Sequence, residues 1–162
     1  MTRRAAWSVH VAALLVGGTG LVYGWMRYCL EPADEFALVN HPAQPLWQHA
    51  HILLAPLLVF ACGLVWGEHV WRRVRTGFRE GRSTGLALFA LFFPMVLSGA
   101  LVQVAEEPGT RAFAAYTHAA SGTLWCLVYL VHLVRFLRAG RRGESGALSA
   151  PRARTSRTAP GP

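Results

Sequence analysis

Two histidines, His118 and His132, lie in the stretch "THAASGTLWCLVYLVHLVRF" (Thr117 to Phe136), which holds no acid, no lysine and no arginine before Arg135. An imidazole in so apolar a segment is costly, and by default it marks a functional position. The two are 14 residues apart. On a regular helix that spacing puts them about 40° from one another and roughly 21 Å apart along the axis. His51 and His69, 18 residues apart in a second apolar segment, fall at about 0° and roughly 27 Å if that helix is straight. Pro56 lies between them and loosens those figures. His10 stands in a third apolar segment.

Histidines at matched depths on several helices are hard to ascribe to packing alone. A neutral imidazole nitrogen ligates iron, and a haem takes axial donors on its opposite faces, hence from two facing helices. Zinc asks for three or four ligands converging within a few ångströms, often with thiolate or carboxylate among them. The spacing therefore favours two bis-histidine b-type haems stacked across a membrane. No Cys-x-x-Cys-His sequence is present, so covalently attached haem is not expected.

The elements that must position these rings follow from hydropathy. The chain has 162 residues, 15% of them charged, and a mean hydropathy of +0.31. Four windows without formal charge, 5–26, 45–67, 83–105 and 112–134, each reach the roughly 20 residues that cross a bilayer. The fold class is all-α, an integral membrane four-helix bundle. Its helices are expected over about 5–27, 45–72, 83–105 and 111–138 within one domain, 1–139. From Gly140 onward, "GRRGESGALSAPRARTSRTAPGP" has the composition of a disordered basic tail, 140–162.

The net charge of +8 is a topology signal and excludes a nucleic-acid reading, because the arginines sit on one side of the spans. Arg3 and Arg4 precede the first; Arg72, Arg73, Arg75, Arg79 and Arg82 fill the second connection; Arg135, Arg138, Arg141 and Arg142 follow the fourth. The other two connections carry Glu31, Asp34, Glu35, Glu106 and Glu107 against Arg27 and Arg111. Both termini are then cytoplasmic by the positive-inside rule, with His51 and His118 at the outer depth and His69 and His132 at the inner. The first span is too long for a secretory signal and shows no small-residue cleavage site. Cys62 and Cys126 fall within spans as small hydrophobes. Pro94, with Ser98 and Gly99 after it, predicts a kink in the third helix. No internal repeat is evident.

On the motifs "HVAALLVGGTGL" in the first helix, His51 in the second, "RSTG" leading to "LSGAL" in the third and the His118–His132 pair in the fourth, the chain resembles a family. It is that of the four-helix cytochrome b subunits that anchor bacterial formate dehydrogenases and nickel-iron hydrogenases. The resemblance covers roughly Arg4 to Arg138. It implies an outer haem between the second and fourth helices, held by His51 and His118. It also implies an inner haem between the first and fourth, held by His10 and His132. "GEHVW" supplies His69 as the rival to His10. If His10 is the ligand, Glu68 and His69 are free to exchange protons beside the inner haem, where a quinone would need them; the plainer role for Glu68 is an ion pair with Arg72, four residues on. His49 is a weaker substitute for His51, and His41, in a polar loop between prolines, is solvated.

The function these features imply is a di-haem b-type cytochrome in the bacterial inner membrane. It would pass electrons between a redox partner protein and the quinone pool, as a subunit of an oxidoreductase and not a complete enzyme. Membrane lipid, a redox partner and quinone are the expected partners, and nucleic acid is not. The alternatives are transport or sensing of a transition metal or haem, and a membrane anchor without redox function.

Overall fold

The computed structural model describes residues 2–72, 75 and 82–149, without the side chains of Glu68, His69, Arg82 and 140–149. All the described regular structure is helical: α1 spans Arg3–Tyr28, α2 Gln44–Val65, α3 Arg82–Val104 and α4 Pro108–Ser149. All four helices are long and apolar enough to cross a membrane. Their ends follow from local chemistry. Thr2 caps α1 by accepting from the Ala5 amide. At its other end Asn40 donates at 3.0 Å to the Arg27 carbonyl, which the last helical turn leaves open, and at 2.7 Å to the Leu30 carbonyl just beyond it. Glu107 starts α4 by accepting from the amides of Gly109 and Thr110. Pro108 takes the first helical position, where a missing N–H costs nothing. Arg111 then reaches back to the Ala105 carbonyl and ties the turn to the end of α3.

Two boundaries differ from expectation. The α-helical backbone of α2 gives way at Trp66–Trp71 to a π-helical turn, which has more residues per turn than an α-helix. His69 lies in that turn, so its 18-residue spacing from His51 no longer returns it to the His51 face as a regular α-helix would. Its side chain, that of Glu68 and the whole of Arg73 are outside the described residues, and with them the Glu68–Arg72 pairing. At the other end α4 continues to Ser149, past the boundary at 138. Residues 150–162 of the expected tail lie outside the described residues.

Helices α1 and α2 pack as one antiparallel hairpin and α3 and α4 as another, and the hairpins approach through α1 and α4. The core lies at mid-depth, where Ala12, Ala13 and Val16 of α1 meet Leu58 and Ala61 of α2, Met95 of α3 and Trp125 of α4. The alanines let the helices approach closely, as small residues do where no water drives association. Leucines such as Leu14, Leu53 and Leu97 point outward. That is the surface a lipid environment requires of a helix bundle. Ser98 donates to the carbonyls of Pro94 and Met95 one turn before it, the back-bond that satisfies a serine hydroxyl inside an apolar helix.

Candidate functional site

The outer pair is assembled across the two hairpins. His51 of α2 and His118 of α4 bring their ring centroids to 5.8 Å with an interplanar angle of 60°. Each ring is anchored within its own hairpin. Nδ1 of His51 lies 3.0 Å from the Val16 carbonyl of α1, and Nδ1 of His118 lies 2.8 Å from the Met95 carbonyl of α3. A carbonyl only accepts, so both Nδ1 atoms carry the proton and both Nε2 atoms carry the lone pair. Among the described residues neither Nε2 has a hydrogen bond. Among the described residues no sealed side-chain nitrogen or oxygen lacks one, so these atoms remain open to the space beside the rings.

This is the donor set a bis-histidine iron needs. His51 and His118 would hold an iron through these two nitrogens, one from each hairpin, and the iron would supply one-electron chemistry there. A backbone carbonyl on Nδ1 is the outer-shell partner that fixes the tautomer of a metal-binding histidine and raises its basicity. Among the described residues no three His, Cys, Asp or Glu side chains converge, as a structural zinc site would require. A haem draws only two donors from the protein.

The inner histidines stand differently. Nδ1 of His10 is hydrogen-bonded to the Tyr129 hydroxyl, and its ring contacts are Trp7 and Tyr129, each at 6.1 Å. Nδ1 of His132 is 2.8 Å from the Thr84 hydroxyl. A hydroxyl both donates and accepts, so neither inner tautomer is dictated. His10 and His132 each have Nδ1 engaged, His10 by Tyr129 and His132 by Thr84. Between the two levels Trp125 and Tyr129 stack at 5.3 Å with their planes 6° apart, and Trp125 is buried. Both residues lie on α4 between His118 and His132.

His49 is exposed. His41 accepts from the Ala43 amide through Nδ1 at 3.1 Å, so it stabilises the loop between α1 and α2. The carbonyls of Val16 and Met95 and the hydroxyls of Tyr129 and Thr84 escape a sequence reading. Backbone acceptors have no side-chain signature, and the hydroxyls lie 119 and 48 residues from the histidines they meet. No protein-family model, curated protein or solved structure matches the chain.

Proposed function

We propose that this chain is a membrane cytochrome b in which His51 and His118 would hold an outer haem. His132 serves an inner one, together with His10 or, as the rival, His69. The observation that carries the reading is the outer pair itself, two imidazoles from separate hairpins, 5.8 Å apart, each protonated at Nδ1 by its bond to a carbonyl. Bound haem supplies reversible one-electron chemistry; the protein sets the axial ligands, their basicity and the exclusion of water. The hydrogen bonds to Val16 and Met95 hold both donor nitrogens ready before any ligand arrives. Trp125 and the core around it keep the middle of the bundle dry.

In this reading the chain is an electron-transfer subunit in a bacterial inner membrane, exchanging electrons between a redox partner and quinone. Its termini face the cytoplasm, because arginine crowds the ends of α2 and α4 and the start of α1. At the inner level the Tyr129 hydroxyl and the His10 ring are adjacent groups able to pass a proton. Absorption spectra of the purified chain, oxidised and then reduced, test the proposal. A low-spin bis-histidine b-type signature supports it, and a colourless preparation from haem-sufficient cells rejects it in favour of transport, sensing or anchoring.

A further inference from the structure

The two outer imidazoles rest on the same local device, used once in each hairpin. In α1 the device is Val16, Thr19 and Gly20; in α3 it is Met95, Ser98 and Gly99. The carbonyl that receives the ring nitrogen belongs to the residue four positions before the glycine, one turn away on the same face. That carbonyl also accepts from the hydroxyl just before the glycine, Thr19 at 3.1 Å and Ser98 at 3.2 Å. The glycine supplies the floor. A methyl group at position 20 would lie 2.7 Å from Cε1 and 3.0 Å from Nδ1 of His51, and one at position 99 would lie 2.8 Å from the same two atoms of His118. Carbon atoms in contact sit about 3.5–4.0 Å apart, so each ring occupies volume that any other residue's Cβ would take.

We propose that Gly20 and Gly99 are positioning residues for the outer ligand pair. Each bares a strip of backbone against which the next helix's imidazole is fixed in one plane and one tautomer. The inference rests on the reading of His51 and His118 as haem ligands. It separates the two levels of the bundle, because the inner histidine of α4 is held otherwise. A methyl group at Gly85 would stand 3.9 Å from His132, an ordinary contact, and the Thr84 hydroxyl does the holding there.

The structure supplies its own controls. Nothing lies within 4 Å of a methyl group placed at Gly18, in the same helix as Gly20, and Gly85 shares α3 with Gly99. Haem is titrated into the full-length purified chain and into the Gly20→Ala, Gly99→Ala, Gly18→Ala and Gly85→Ala variants, with the electron paramagnetic resonance spectrum and midpoint potential of each. Displacing a ligand from its outer-shell partner costs about 10- to 100-fold in affinity. That loss, or a changed low-spin signal and potential from the outer centre, is expected of Gly20→Ala and Gly99→Ala, with the two controls like wild type. Seat variants that match wild type overturn the proposal, as do controls that lose haem equally, since general helix packing is then the cause. Nitrogen NMR of the histidine-labelled, haem-free wild type needs no variant to fold. Protons on Nδ1 of His51 and His118 are expected, and a proton on Nε2 of either overturns the assignment. A wild-type chain that takes up no haem defeats both readings, whereas equal haem uptake by wild type and seat variants defeats only this one.

Discussion

Replacing His118 by alanine separates a ligand from a packing residue, because the two roles predict losses of different size. As a packing residue, His118 contributes one interhelical hydrogen bond, to the Met95 carbonyl at 2.8 Å. Such bonds are worth about 0.6 kcal/mol on average and less than about 2 kcal/mol in membrane proteins. The variant should then stay folded. As a ligand, it holds one face of an iron. Losing only an outer-shell partner of a metal ligand costs about 10- to 100-fold in affinity, so losing the ligand exceeds about 2.8 kcal/mol at 1.4 kcal/mol per tenfold. The expected result is unchanged helicity with the outer haem gone. His132→Ala should do the reverse, since a separation of roughly 21 Å along α4 makes the centres independent. His51→Ala should equal His118→Ala, and the double variant should be no worse than either single one, because on the proposed reading the two rings, 5.8 Å apart, would hold the same iron. Haem per chain and a potentiometric titration report the two centres. Full haem content with an unshifted spectrum in His118→Ala would refute the reasoning, as would additive losses in the double variant.

Comparing His10→Ala with His69→Ala identifies the inner ligand; loss of the inner haem is expected from His10→Ala, and its loss from His69→Ala alone would reassign the role. Cys29 is exposed at the end of α1, while Cys62 and Cys126 are half-buried within spans. A membrane-impermeant maleimide should therefore label the chain from the outer side of intact cells at Cys29, and labelling only after the membrane is breached would invert the topology. The Thr110 side chain and the Gly109 and Thr110 amides hydrogen-bond the Glu107 carboxylate and hold it below the usual carboxylate range. A depressed folded value means that its contribution is fully present above the ordinary carboxylate pKa and is lost as pH falls through the folded one. Glu107→Ala should lower the thermal midpoint at neutral pH, and the difference should close only in strong acid. A deficit that persists unchanged into strong acid would remove the charge from the explanation.

Length, hydropathy and the helical period determined the four long apolar helices, and they placed His51 at the depth of His118, which it meets. Those inferences hold because a bilayer-length helix has one rise per residue and few ways to hide a polar group. The π turn at Trp66–Trp71 was not legible, since a change of backbone hydrogen-bond register carries no side-chain signature. Tertiary structure alone decided which imidazole meets which, that His10 is met by Tyr129, and that the outer rings are held as Nδ1-protonated tautomers. It also exposed a device repeated in the two hairpins where the sequence shows no repeat. The match lies in backbone carbonyls and missing Cβ atoms, which pair residues 35 and 23 positions apart. Spacing along one helix fixes depth and face, but a partner on another helix is set by how the hairpins dock, and no local pattern encodes that.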